Sequence, residues 1–537
     1  MTNSVMKSLT TGRLVVLGTL VQRTEMSLGA TDAEGALATD GLGRPTLFGS
    51  AIAGALFDTM RRCGHQLPPS LTTPPTAGAR VISDSCLLTW NSHAQAMDGD
   101  MPSHASRQHV AIRQDSGAAA PDLLFATQTI AAGTRWPLVL ELDLLDWSRL
   151  TPLQACDWTT GKAVAVLCQA LEEWSDERCW LGGKVSRGLG WMRLEGCRVI
   201  HLPDQYALTW HSDLDQSSED GAFDIERAAA ALLSPSLGGA QLVTPLQESE
   251  RRNEGVPGDS DAWIYIRLRG LLDFGQPRDD GWGLDTLSHT AGPREGIHDH
   301  LSARRMTLAP EGDASFFSRR QPGSNQDRSG YAPDKVLALT PRMRQRQGQA
   351  EWVVEPFIAG SAIAGPIRHE LSRRHRLNGL TVLDPVTGLT YGPAGNPTSD
   401  ISVWFGERHG SDDARASMLM VRDAFLSEPH RDSWLKFQAE YHAEDELRGS
   451  TYGGAKFTRE VLAVACFEWE IVLAAPVHQR ATLEAFAAEL TGLLDGHELA
   501  IGGAVWRGHG RGRWRLTERS CIRAGERWVS KEKADHA

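Results

Sequence analysis

The sequence predicts an α+β chain made of two tandem copies of one unit. Two repeated elements and a shared order of apolar patterns lead to that expectation. Gly49-Ser50-Ala51-Ile52-Ala53-Gly54 recurs letter for letter as Gly360-Ser361-Ala362-Ile363-Ala364-Gly365, 311 positions later. Leu181-Gly182-Gly183-Lys184-Val185-Ser186-Arg187-Gly188-Leu189-Gly190 is answered by Ile501-Gly502-Gly503-Ala504-Val505-Trp506-Arg507-Gly508-His509-Gly510, with Gly182 and Gly502 standing 320 positions apart. Two different motifs that recur in one order at nearly one offset indicate a tandem duplication.

Each copy reads alike from its start. A β-like run opens it, Leu14-Val15-Val16-Leu17 in the first and Trp263 to Leu268 in the second. A loop with Gly and Asp follows, then the Gly-Ser element and a helix. In the first copy Ile52, Ala55, Leu56 and Met60 fall at spacings of three and four, an apolar helical stripe. Both helices run into paired arginines, Arg61-Arg62 and Arg373-Arg374. After a variable middle section come a strand (Trp136 to Asp143, or Phe467 to Leu473) and a long helix (Lys162 to Trp174, or Ala481 to Leu494). The Gly-rich loop and a final strand close the unit. This β-α-β-β-α-β order is the ferredoxin-like (RRM-like) arrangement, with insertions. Pro366 has no N–H to donate, so the second copy's first helix is expected to begin irregularly. The first copy is placed at residues 1–205 and the second at 261–537. Residues 206–260 read as a polar, acidic linker with one helix, Asp224 to Leu233, and residues 276–350 as a long polar insertion.

Composition narrows the function classes. The 537 residues exceed what one core supports, since cores stop growing near ~250–300 residues. With 41% apolar and 23% charged residues the chain is globular. Its eight cysteines include no CxxC pair, which argues against a zinc ribbon or redox motif and fits free thiols in a reducing compartment. The apolar run Leu14 to Leu20 is too short to span a membrane and no cleavage site follows it, so a soluble, cytoplasmic protein is expected. A net charge of −12 disfavours nucleic-acid binding by the surface as a whole. The cations, however, gather beside the glycine motifs.

Ser50 and Ser361 each stand just before a helix. They are either ordinary caps or part of a phosphate cradle, with free N–H groups, a small hydroxyl, close-approaching Gly and arginines Arg61 and Arg368 on the helix behind. Repetition beside a second phosphate-friendly loop favours the cradle. That loop carries four Gly with Lys184, Ser186 and Arg187, so backbone can approach a polyanion while two cations neutralise it. Its spacing is not that of a Walker loop, and it lacks the preceding strand of a dinucleotide fingerprint. The second copy supplies Arg507 and Arg511, with Arg513 and Arg515 behind them.

With these motifs in order, the chain resembles the RAMP superfamily of CRISPR-associated proteins. It is most similar to two fused backbone (Cas-seven-type) subunits of a type III effector complex. The Gly-Ser helix start is one shared mark. Phe405-Gly406 through Val421-Arg422-Asp423-Ala424 resembles the family's middle signature, with a weaker version at Arg80 to Ser85. The family's hairpin is matched by Ser450-Thr451-Tyr452-Gly453-Gly454-Ala455 and by Ile112 to Ala118, the latter followed by Leu124-Phe125 and Gly133-Thr134-Arg135-Trp136. The Gly-rich loop closes both copies.

The resemblance implies a guide-RNA-binding scaffold of antiviral defence, with thumb hairpins near Ile112–Gly117 and Glu444–Ala455 wedged between bases. Its implied partners are guide crRNA, complementary target RNA, a Cas-ten-type large subunit and further backbone subunits, with no membrane. It also implies an endonuclease activity. Asp32 and Asp285 fall where the family carries its catalytic loop aspartate, with Asp40, Asp279 and Asp280 as competitors. The chemistry would be attack of an RNA 2′-OH on the adjacent phosphate, assisted by Mg2+ or another divalent metal that these carboxylates hold, or by a proton transfer that they orient. Two other readings stand beside it. One is the same scaffold without catalysis. The other is a Cas-six-like guide-processing ribonuclease, disfavoured by chain length and by His65 lying past the helix.

Overall fold

The computed structural model describes residues 12–29, 38, 45–65, 86–87, 105–112, 119–143, 160–203, 225–233, 240–243, 262–274, 287–288, 336–346, 349–384, 389–392, 395–406, 416–431, 434–441, 444–445, 450–451, 457–495, 499–503, 505 and 508–528. The first copy contains β1 (Arg13–Gln22), α1 (Gly49–Arg62), a hairpin of β2 (Ala105–Ile112) and β3 (Ala119–Thr129), β4 (Arg135–Asp143), α2 (Thr160–Ser175), β5 (Trp191–Leu202) and α3 (Ile225–Leu232). The second contains β6 (Trp263–Asp273), a hairpin of β7 (Leu339–Arg346) and β8 (Gln349–Ile358), α4 (Gly360–Leu377), β9 (Leu419–Val421) and β10 (Ala424–Leu426). A hairpin of β11 (Leu435–Tyr441) and β12 (Phe457–Val464), then β13 (Cys466–Pro476), α5 (Arg480–Leu494) and β14 (Arg513–Arg523) complete it.

β1 is apolar on both faces, and a strand of that kind belongs in the middle of a covered sheet. It lies between β4 and β5, antiparallel to both, and Cys179–Trp180 pairs on the far side of β5. Leu14, Val16 and Leu20 face a core filled by Ile52, Leu56 and Met60 of α1 and by Val164, Leu167 and Trp174 of α2. Val15 and Leu17 face the other way, against α3. The second sheet runs β7-β8-β10-β13-β6-β14, with β9 also on β13 and every pairing antiparallel. Its core takes Ile363, Ile367 and Leu371 from α4 and Leu483, Phe486, Leu490 and Leu493 from α5. Trp404 stacks flat on Phe486, ring centres 4.5 Å apart.

The two central strands share an irregularity. The register of β1 with β5 slips between Leu17 and Thr19, at Gly18, and that of β6 with β14 slips between Arg269 and Gly270. The repetition read from the motifs therefore extends to a bulge in the closing strand of each sheet, one extra residue of β5 opposite Gly18 and one of β14 beside Gly270.

Several expectations change in the structure. α4 starts regularly at Gly360 and runs unbroken through Pro366, because its buried stripe of Ile363, Ile367 and Leu371 outweighs one missing hydrogen bond. The strand Cys179–Trp180 does precede the first Gly-rich loop, too short to leave an apolar run in the sequence. The end of the polar 276–350 stretch is strand: β7 carries Arg342, Arg344 and Arg346 yet pairs with β8 along its whole length. The helix expected in the linker segment is present as α3, but that segment packs on the first sheet and does not stand free: α3 lies against Val15 and Leu17, and Gln241–Leu242 pairs with β5. Among the described residues no helix is long and apolar enough to cross a membrane.

The bulge glycines are not equally replaceable. A Cβ on Gly270 would lie 2.2 Å from the Arg515 carbonyl oxygen and 2.3 Å from the Trp469 ring, whereas one on Gly18 meets first the tip of the Leu194 side chain, at 2.7 Å. Gly270→Ala is expected to cost about 1–3 kcal/mol or more and Gly18→Ala clearly less. Thermal unfolding of the two variants side by side measures the difference.

Candidate nucleic-acid interface

The first Gly-rich loop is held rigidly. Leu181 N–H donates to the Gly190 carbonyl at 2.9 Å, Gly190 N–H to the Glu25 carbonyl at 2.7 Å, and Gly183 N–H to the Ser27 carbonyl at 3.0 Å. Between them Val185–Arg187 form one 3-10 turn, entered through Lys184 in the left-handed region (φ 60°) and left through Gly188. Lys184 also donates to the Thr127 hydroxyl on β3. The second loop is closed in the same way, Ile501 N–H donating to the Gly510 carbonyl at 2.9 Å. Gly190 and Gly510 both have positive φ, and in both a Cβ would fall 1.8 Å from the carbonyl oxygen of the loop's first residue. Only glycine fits either position. The hairpin grips the loop in both copies: Tyr441 of β11 hydrogen-bonds His509.

The two repeated motifs meet across the copies. Gly188 of the first loop lies against Gly360 at the start of α4, where a Cβ on Gly360 would be 2.9 Å from the Gly188 Cα. Asp423 sits between them. It accepts from Gly360 N–H at 2.8 Å and from Arg107 Nη1 and Nη2 at 3.1 and 2.6 Å. Arg107, on β2 of the first copy, also donates through Nε to Glu25 at 3.2 Å, and its guanidinium lies 4.9 Å from the Phe357 ring centre. Thr129 and Thr340 donate to the two oxygens of Glu25. All five side chains are buried, and Asp423 is fully so. Burial alone would depress the Arg107 guanidinium, but Asp423 and Glu25 outweigh it and hold it above the usual arginine value. Arg107 is therefore a permanent cation inside the junction.

This junction brings some of the expected binding residues together. Arg187 projects exposed from the first copy's loop, with Lys184 and Ser186 half-buried beside it. Ser361 and Arg368 lie half-buried on α4 of the second copy. Burial, opposed by Asp384 and reinforced by the nearby positive charge of Arg187, pushes Arg368 down to about 10. Cations expected separately in each copy thus share one surface at the junction. The first copy's own helix start has no such cover: Ser50 is exposed and Phe48 is 46% exposed. Arg61 is exposed at the opposite end of α1, about 18 Å along the axis from Gly49, so it does not join Ser50. Arg62 is pinned between the Trp180 and Trp263 rings. The expected cluster on α4 is partly neutralised, since Glu370 pairs with Arg373 and Arg374 at 2.7 and 3.0 Å. Arg511 is exposed at the close of the second loop.

Arg507, Asp32 and Asp285 lie outside the described residues, as do Asp40, Asp279, Asp280 and the hairpin tip at 113–118. Among the described residues no group of three or more His, Cys, Asp or Glu side chains is placed to hold a metal ion. Glu25, Arg107, Thr127 and Thr340 carry no sequence mark of their role, because each acts through a partner more than 50 positions away. Asp423 was visible only as one letter of the middle signature.

Arg107→Met should destabilise the protein by about 3–5 kcal/mol, because it strands two carboxylates inside the junction. Equilibrium urea unfolding reads the loss directly. A scan of the chain against protein-family models finds no match, and a search of curated proteins finds none either.

Proposed function

We propose that the chain is a guide-RNA-binding backbone subunit of a type III CRISPR effector complex, with two RAMP units fused in tandem. The observation that carries this reading is the meeting of the first copy's Gly-rich loop with the second copy's Gly-Ser helix. Backbone without side chains lies there beside Lys184, Arg187 and Arg368 on a protein of net charge −12. A surface of that kind suits a phosphodiester backbone, since small residues allow close approach and the cations release counterions on binding. The order β14-β6-β13-β10 supports the ferredoxin-like reading of the second copy: numbered by place in the unit, it runs fourth, first, third, second. The first copy supports it with β5-β1-β4. Hairpins anchored on both Gly-rich loops suit the thumb role. Guide crRNA, complementary target RNA, a Cas-ten-type large subunit and further backbone subunits are the partners of this reading, and the cytoplasm its compartment.

Binding and cleavage have different supports. Binding rests on the junction. Cleavage rests on the resemblance alone and belongs to Asp32 and Asp285, with Mg2+ or another divalent ion supplying charge neutralisation at the scissile phosphate. A scaffold without catalysis is the reading that remains if those aspartates are silent.

For binding, Lys184→Ala, Arg187→Ala and Arg368→Ala should each weaken RNA binding regardless of sequence. Each should also lower the slope of log affinity against log salt by about 0.7 for every phosphate that is no longer neutralised. Fluorescence anisotropy over a salt series measures both, and an unchanged slope in the triple variant defeats the reading. For cleavage, Asp32→Ala should remove one of two cuts in a complementary RNA and Asp285→Ala the other. Chelation should abolish both cuts and leave guide binding intact. Gel analysis of end-labelled target decides, and a double variant that still cuts at both positions removes the aspartates from the mechanism.

A further inference from the structure

The outer face of the two sheets is covered by different neighbours. Aligned on their bulge glycines, the central strands set Leu17 opposite Arg269 and Val15 opposite Arg267. On the second copy this face is where the first copy docks. Tyr265, Val472 and Ile522 pack with Cys63 and Trp191 of the first copy, Trp180 lies 6.2 Å from Tyr265, and Arg269 takes Glu177 at 3.2 Å. On the first copy the same face is aliphatic through its middle, with Val15, Leu17, Ile200 and Leu202, and α3 lies over it through Ala228, Ala229 and Leu232. The far side of α3 turns Glu226 and Arg227 to solvent, and Glu226 pairs with Arg198 at 2.6 Å.

We infer that α3 is a built-in cap, occupying on the first copy the place that the first copy occupies on the second. The contact between copies is head to tail. Such a contact propagates without limit unless an end is closed. Stacked repeats close their ends with an element that is apolar inward and polar outward, and α3 has that form. The chemistry beneath it agrees: where the second copy presents Arg269 to Glu177, the first presents Leu17, and Arg198 on that face is taken by Glu226 of α3 itself. The chain thus terminates a row of stacked units on its N-terminal side, where the helix start at Phe48 stays open. This inference rests on the internal duplication and goes beyond the RNA-binding reading.

The experiment uses the full chain and gives the second copy the aromatic pair with which the first copy docks. Ala500 and Arg511 bridge as Trp180 and Trp191 do, 320 positions later, so the test chain carries Ala500→Trp and Arg511→Trp. Sedimentation velocity should find this chain monomeric while α3 is intact. Adding Ala228→Glu and Leu232→Glu, which peel α3 away, should make it associate. Cross-links should then join residues 13–22 or 191–202 of one chain to residues 499–513 of another. Association with α3 intact overturns the inference. So does a folded, peeled chain that stays monomeric, or one whose cross-links fall elsewhere. Should circular dichroism show that the double-Glu chain has lost its fold, Ala229→Gly with Leu232→Ala loosens the helix without burying charge, and the same outcomes decide.

Discussion

The ion pair between Arg107 and Asp423 joins residues 316 positions apart and fixes how the two copies meet. A buried charge is tolerable only when it is matched and its remaining hydrogen-bonding capacity is used. Both conditions hold here. Asp423 uses its oxygens on Arg107 and on the first N–H of α4, while Arg107 divides its donors between Asp423 and Glu25. Because the geometry of a guanidinium fork is narrow, the pair allows little sliding between copies. Gly188 is held against Gly360 as a consequence, and with it the surface that carries Arg187 and Arg368.

Around that point the junction is assembled from unlike materials. Beside the ion pair runs an apolar seam of Trp191, Tyr265, Met420 and Ile522. Beyond it lies a charged network in which Glu177 of the first copy receives Arg23 and Arg269, and Glu470 receives Arg269 and Arg422. The apolar part contributes most of the attraction, being indifferent to angle. The charged parts contribute register.

What the sequence disclosed follows from the range of each interaction. The helices and long strands were legible because their burial patterns repeat over a few residues, as in Ile52, Leu56 and Met60 or along β6. Gly190 and Gly510 were legible because a backbone requirement leaves a single permitted residue. β7 was not, since its arginines hide a strand inside a polar stretch. Nor was the role of α3, because the same amphipathic pattern serves a free linker helix and one laid on a sheet. In the site, Lys184, Ser186, Arg187, Ser361 and Arg368 stood out by their company with glycine, but nothing local said that the loop of one copy would meet the helix of the other. Arg107 and Glu25 had no local mark at all, as their meaning lies wholly in Asp423 and Thr340.

The long reach of the Arg107–Asp423 pair also bears on how the protein is made. At synthesis rates of roughly 5–20 residues per second, Arg107 leaves the ribosome on the order of 20–60 s before Asp423 follows it. Throughout that interval the first copy must hold a cation whose partner does not yet exist. Glu25 is already present, and it reaches the same guanidinium with Thr129 steadying its carboxylate. The first copy therefore carries a carboxylate of its own for this arginine, and the second copy completes the bond.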